Sequence, residues 1–173
     1  MKDLVSLFRR NTNPTIVGVR HQIGILEETE WLDRTISWSK KKIKPKNKVM
    51  LEIPEYPLGE NFRKNVPSRV RFFYNELTQC LENMGAIILC AEDESRWAND
   101  KEYDKEHVRD ELFIEKLKTL QPNYFLVGFG HIDYLRERLP AFRFINLVNE
   151  RRDERRYFWL SDKFLDSLSK YNS

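Results

Sequence analysis

Short apolar runs alternate along this chain with longer, charged amphipathic stretches, and this alternation constrains the fold more than any other feature of the sequence. The apolar runs have the length of β-strands, whereas the stretches between them carry apolar residues at the three- and four-residue spacing of a helix. Strands separated by helices of this length indicate β-α-β units and a largely parallel sheet. We therefore predict a single α/β domain with a mostly parallel central sheet, flanking helices and a pocket at the carboxyl ends of the strands.

The pattern gives approximate bounds for each element. The predicted strands are 15–19, 49–53, 86–91, 124–128, 142–148 and 157–160, and the predicted helices are 23–42, 68–84, 103–120, 132–138 and 163–170. Pro67 and Ser68 supply a start signal for the second helix, and Gly85 supplies its stop. The unbroken apolar run from Ala86 to Ala91 is typical of a strand that is covered on both faces.

Length and composition favour one folded domain. The chain has 173 residues, of which 40% are hydrophobic and 13% are aromatic, and this composition argues against disorder. The net charge is +3, from 30 basic and 27 acidic side chains, which is not the strongly basic balance of a dedicated nucleic-acid binder. No apolar run reaches the roughly 20 residues of a membrane helix. The N-terminus has no signal-peptide pattern, so we expect a cytoplasmic protein with no membrane partner.

Two of the three histidines follow predicted strands at the same spacing. His21 comes three residues after Gly18, and His131 comes three residues after Gly128. Because the carboxyl ends of parallel strands share one edge of the sheet, we expect the two imidazoles to approach each other there. The glycines would let the chain turn sharply and leave backbone amides available to a ligand. The alternative is that each histidine caps or hydrogen-bonds its own loop.

Acidic residues follow the other two early strands. Glu52 interrupts an apolar run, where an ionised carboxylate needs a cation, a hydrogen-bond donor or water; a salt bridge to an arginine is the structural alternative. The acids of 92–94 either face the same edge or form a solvated loop. His21, Glu52 and His131 could hold a divalent metal such as Zn²⁺ or Mn²⁺ with an open position. They could also perform acid–base chemistry without a metal, and the sequence does not choose between these roles.

The order of these signals resembles the TraB/PrgY/TIKI family of the erythromycin-esterase/ChaN-like superfamily. The similarity runs from about Ile16 to Leu139 and joins four motifs in order, namely Gly18-x-x-His21, Glu52, Arg109-Asp110 and Gly128-x-x-His131. It implies an α/β fold with one composite site at the strand ends. It also implies a peptidase- or esterase-like hydrolase, metal-dependent in some members, with haem-binding proteins among the relatives.

The resemblance assigns four catalytic residues, which are His21, Glu52, Arg109 and His131. It implies that Arg109 places a fixed positive charge near a developing oxyanion. The alternative for Arg109 is a surface ion pair with Glu106 or Glu111.

Two other functions stay open. One is a non-catalytic binding module for an anionic ligand such as a nucleotide or a phosphate-bearing metabolite, held by Gly18, Gly128 and Arg20. The usual nucleotide fingerprints are missing from the sequence. The other is nucleic-acid binding through Lys40–Lys46 and the arginines of 151–156, with Trp31, Trp38 and Trp159 as stacking platforms. Lysines are also ordinary at a helix C-terminus and these Trp residues are ordinary core residues, so we expect a small-molecule or peptide substrate rather than nucleic acid. The oligomeric state is left open.

Overall fold

A computed structural model of the chain describes residues 13–20, 28–93 and 107–148, and these residues build one five-stranded sheet with helices. The strands are β1 (Thr15–Val19), β2 (Lys48–Leu51), β3 (Ile87–Cys90), β4 (Tyr124–Gly128) and β5 (Arg143–Asn146). The helices are α1 (Glu28–Lys42), α2 (Glu60–Asn65), α3 (Ser68–Asn83), α4 (Val108–Leu120) and α5 (Ile132–Arg138). A 3₁₀ turn, Phe129–His131, joins β4 to α5.

The sheet has the order β3-β2-β4-β1-β5, and every neighbouring pair of strands is parallel. The predicted α/β class and parallel sheet are therefore confirmed. The short helix α2 was not predicted. The predicted strand 157–160 and helix 163–170 lie outside the described residues, as do the first parts of the predicted helices 23–42 and 103–120.

The core has two halves, one on each face of the sheet. Alternate residues of a strand point to opposite faces, so Val49 and Leu51 of β2 pack on one side and Met50 packs on the other. The first side is covered by α1, α2 and α3, and the second by α4 and α5. Because both faces are covered, the central strands are apolar throughout, as the run patterns indicate.

The first turn of helix α4 supplies site residues because the buried face of the helix begins there, at Asp110. Its buried residues are Asp110, Phe113, Ile114 and Leu117, which is the three- and four-residue spacing of one helix face. The apolar members pack on the sheet, and this contact brings the first turn of α4 over the strand ends. None of the described helices is both long and apolar enough to cross a membrane.

Candidate functional site

Acidic and basic side chains meet at the carboxyl edge of the sheet. Glu52 directly follows β2, Glu92 comes two residues after β3, and His131 comes three residues after β4. These strands are adjacent, in the order β3-β2-β4. The first turn of α4 adds Arg109 and Asp110, and all five side chains are linked by the contacts described below.

Glu52 is the centre of this network. Its Oε2 accepts a hydrogen bond from the backbone N–H of Gly128 at 2.7 Å. Its Oε1 accepts a hydrogen bond from Nη2 of Arg109 and lies 3.4 Å from Nε2 of His131. The side chain is 4% exposed, so the ionised carboxylate is stabilised by these donors and not by bulk water.

Arg109 bridges two buried carboxylates. Its Nη2 contacts both Glu52 and Glu92, and its Nε donates to Oε1 of Glu92 at 3.1 Å. Lys116 donates to the backbone oxygen of Glu92 at 2.5 Å and holds the same loop. Of the two surface partners that the alternative names, Glu111 accepts from Tyr134 and pairs with Arg138, and Glu106 lies outside the described residues.

His131 is held between two carboxylates. Its Nδ1 donates to Oδ1 of Asp110 at 2.7 Å, its Nε2 faces Glu52, and Phe113 packs edge-on against the ring at 5.4 Å. Burial disfavours the charged imidazolium, but the hydrogen bonds to Asp110 and Glu52 and their negative charges outweigh it. The pKa of His131 is raised to about 9. Without a metal, this imidazole therefore carries a proton at neutral pH.

Asp110 accepts from two histidines at once. Oδ1 contacts His131, and Oδ2 lies 3.2 Å from Nδ1 of His107. Burial by itself would raise the pKa of Asp110, but its hydrogen bonds to His131 and then to His107 prevail and lower that pKa. Asp110 is therefore ionised and orients His131, and His107 lies at the outer side of the network.

Only part of the predicted site can be placed. Glu52, Arg109 and His131 come together, whereas His21 lies outside the described residues. The predicted approach of His21 to His131 therefore stays a prediction, as does a pocket at this edge. Arg20, next to His21 in sequence, lies over the rings of Trp31 and Phe129, 5.8 and 5.9 Å from their centres.

The two glycines have different surroundings in the structure. Gly18 forms no sharp turn, because it lies inside β1, opposite Val127 of β4. A Cβ added there would lie 2.8 Å from Cγ1 of Ile132, so the strand needs glycine to let α5 approach. Gly128 does end its strand at a turn, but its N–H already donates to Glu52 and is not open to a ligand in this arrangement.

The described residues contain no complete metal site. Within 13–20, 28–93 and 107–148, no group of three or more His, Cys, Asp and Glu side chains has the geometry to hold a metal ion. His131 and Glu52 supply two donor atoms at 3.4 Å. Two ligands that each lie about 2.0–2.1 Å from a tetrahedral ion are about 3.3–3.4 Å apart, so these two atoms fit neighbouring coordination positions.

The described lysines proposed for nucleic-acid binding lie away from this edge. The lysines of 40–46 lie at the end of α1 and in the loop before β2, at the opposite end of that strand from Glu52. Trp31 is buried, and Trp38 packs edge-on against Tyr124 with ring centres 5.6 Å apart. Neither described tryptophan is presented as a stacking platform. The arginines of 151–156 and Trp159 lie outside the described residues.

Sequence reasoning missed two members of the network. The sequence places Asp110 beside Arg109 but predicts no role for it. For Glu92, the sequence does not decide whether the side chain faces inward or lies in a solvated loop. The signal for Asp110 was its spacing of three and four residues from Phe113 and Ile114, which places an acid on the apolar face of α4. Glu92 had only its position after a strand as a signal.

Comparison with protein-family models, with curated proteins and with solved structures finds no match to this chain.

Proposed function

We propose that this chain is a hydrolase for peptide- or ester-like substrates, with its reactive groups at the carboxyl edge of the sheet. The observation that carries the proposal is the position of His131, which is held between Asp110 at 2.7 Å and Glu52 at 3.4 Å. An imidazole oriented by one carboxylate and directed at a second polar group is the arrangement that acid–base catalysis uses.

Each side chain has a separate task in this proposal. Asp110 keeps the proton on Nδ1 of His131 and directs Nε2 toward the reaction site, because an ionised carboxylate can only accept a hydrogen bond. His131 donates its Nε2 proton to the leaving group and can take it back from water. Arg109 pairs with both Glu52 and Glu92, so its task here is to position Glu52 and not to contact an oxyanion.

In a metal-dependent form of this proposal, a divalent ion, Zn²⁺ or Mn²⁺, would bind to the same residues, and Nε2 of His131 would then be a ligand and not the proton donor. Nε2 of His131 and Oε1 of Glu52 would hold the ion together with His21, and Asp110 would be the carboxylate that orients the histidine ligand. Such an ion, when bound, polarises a carbonyl and activates water. Because His131 is protonated without metal, binding at Nε2 must release a proton.

The anionic-ligand alternative has less support. Within the described residues, the network has three carboxylates, Glu52, Glu92 and Asp110, and the cations Arg109 and His131, while Lys116 donates to the backbone oxygen of Glu92. Burial raises the pKa of the nearby Tyr74 hydroxyl well above its ordinary value; the charges of Glu52 and Glu92 add to this effect, and Arg109 opposes it. The cations of the network are thus already paired with its own carboxylates, which weakens the case for a ligand anion.

The test is hydrolysis by the purified full chain, prepared metal-free and then loaded with Zn²⁺ or Mn²⁺. The probes are p-nitrophenyl esters and a set of fluorogenic peptides, and bound metal is measured on the same samples. We expect turnover of at least one probe class, and we expect His131→Gln to lower it by about 10²- to 10⁴-fold. Loss of metal together with activity in His131→Gln would support the metal-dependent form.

Asp133→Asn is the matched control, because Asp133 lies two residues after His131 but its side chain is 92% exposed and pairs only on the helix surface with Arg136. This variant should keep the activity of the unmodified chain. Absence of turnover under every metal condition, or equal turnover in His131→Gln, contradicts the proposal. Saturable binding of inorganic phosphate or a nucleotide without turnover would favour the anionic-ligand module instead.

A further inference from the structure

His107 is an exposed histidine with three unusual constraints. Its backbone is left-handed, with φ of 66° and ψ of 0°, at the residue just before α4. Its ring stacks on Tyr134 with centres 3.8 Å apart and planes 11° from parallel. Its Nδ1 reaches Asp110 Oδ2 at 3.2 Å. Bulky residues rarely adopt this backbone conformation, and they keep it only where the surrounding contacts require it.

These constraints converge on Asp110. The stack fixes the plane of the His107 ring, and Tyr134 is itself held by a hydrogen bond from its hydroxyl to Glu111 at 2.6 Å. Because an ionised carboxylate accepts only, Nδ1 of His107 must donate to it.

We propose that His107 is a positioning residue that acts on His131 through the carboxylate of Asp110. One carboxylate oxygen faces each histidine, so the donor on Oδ2 fixes the rotation of the carboxylate and holds Oδ1 in line with Nδ1 of His131. Without that donor, Asp110 can rotate about its last side-chain bond, and the hydrogen bond to His131 weakens. This role rests on the proposed function, in which Asp110 orients His131.

The test reads the His131 ring directly and does not need a substrate. The full chain has three histidines, so ¹⁵N-histidine labelling gives few ring signals, and the Nδ1–H proton shared by His131 and Asp110 can be followed by its chemical shift and its exchange with water. We expect His107→Gly and His107→Leu to shift this proton upfield and to speed its exchange at least fivefold. Leucine keeps an apolar side chain against Tyr134, and both variants lack the donor.

His107→Asn is the conservative rescue. Asparagine tolerates the left-handed backbone and can donate from its amide to Asp110, so exchange should stay within twofold of the unmodified chain. Asp133→Asn is the matched control, because the Asp133 side chain is exposed and pairs with Arg136 on the helix surface; the His131 signal should not change. Glycine adopts φ of 66° freely, so a purely backbone role predicts an unchanged or raised Tm and an unchanged His131 signal in His107→Gly.

The outcomes separate this inference from the proposed function. If Asp110→Asn abolishes the protected proton while His107→Gly and His107→Leu leave it as it was, His107 does not position Asp110 and the inference is wrong. If Asp110→Asn itself leaves the proton unchanged, the Asp110–His131 pair does not orient the imidazole. In that case the premise of the proposed function fails as well.

Discussion

The backbone N–H of Gly128 donates to Oε2 of Glu52 at 2.7 Å, which joins the end of β4 to the end of β2 through a side chain. Paired residues of these two strands end at Leu51 and Leu126, so Glu52 extends the connection where backbone pairing stops. The bond also fixes the orientation of the carboxylate, because Oε2 is held by the backbone and Oε1 is left facing Arg109 and His131. The buried Glu52 carboxylate thus links two strands of the sheet and contacts two side chains of the site.

Replacing Glu52 should destabilise the fold, and the loss should be larger when the replacement removes every hydrogen-bond acceptor of the side chain. Glu52→Ala leaves Arg109, His131 and the Gly128 N–H without their shared acceptor, and we expect a loss of about 3–5 kcal/mol in the free energy of unfolding, measured in urea. Glu52→Gln should cost less, because its amide oxygen can still accept from Gly128. The control Glu60→Ala removes an exposed ion pair with Lys64 and should change stability by less than about 0.5 kcal/mol. A Glu52→Ala protein as stable as the unmodified chain would contradict this account.

The pH dependence of stability should report the His131–Asp110 pair in the metal-free protein. The pKa of His131 is about 9 in the fold against an ordinary value of 6.5, so the folded state binds this proton more tightly. The resulting stabilisation, roughly 3 kcal/mol at most, is complete below the ordinary pKa and is lost as pH rises through 9. The lowered pKa of Asp110 acts in the opposite direction, because its contribution is lost as pH falls.

His131→Gln should therefore flatten the decline in stability between pH 6.5 and 9, as followed by chemical denaturation at each pH. Asp133→Asn, with its exposed side chain, should retain the slope of the unmodified chain. The same slope in both variants would show that His131 is not the group responsible.

The fold was predictable because each core strand is a short apolar run and each long helix has apolar residues at helical spacing. β1 and β4 have the predicted bounds, and α3 differs from its predicted range by one residue. The six-residue helix α2 was missed because fewer than two turns give no usable period. The prediction of a sharp turn at Gly18 was wrong because a turn and a tight strand–helix contact can both require glycine. Only the position of Ile132 in the fold distinguishes the two cases.

The site was predictable only to the extent that topology fixes it. Parallel strands guarantee that residues after β2 and β4 share an edge, which is why Glu52 and His131 could be grouped from the sequence. The pairing of Arg109 with Glu92, and of Asp110 with His131, depends on how far α4 extends over that edge. Phe113 of α4 packs on Phe125 of β4 with ring centres 5.3 Å apart, and a contact of this kind has no local sequence signal.

Both the positive charge and the planar guanidinium group of Arg109 should be needed for full stability. Arg109→Met leaves Glu52 and Glu92 buried without their cation, and we expect a cost of about 3–5 kcal/mol at pH 7. Arg109→Lys keeps the charge but not the planar fork that reaches both acids, and it should cost less than Arg109→Met. Because the two acids can be neutralised by protons, the deficit of Arg109→Met relative to the unmodified chain should shrink near pH 4–5, as measured by urea unfolding at both pH values. A deficit that is independent of pH would show that Arg109 acts through packing alone.

Gly18 and Gly130 form a matched pair for the claim that the first glycine is required by packing. A Cβ at Gly18 would lie 2.8 Å from Cγ1 of Ile132 and 3.1 Å from the side-chain oxygen of Asn146, whereas a Cβ at Gly130 would have nothing within 4 Å. Gly18→Ala must therefore push α5 away from β1, and overpacking of this kind costs about 1–3 kcal/mol. Gly130→Ala should stay within about 0.5 kcal/mol. Both free energies can be measured by urea unfolding at neutral pH, where equal values would contradict the packing explanation. Because Ile132 follows His131 directly, Gly18→Ala should also disturb the His131 Nδ1–H signal.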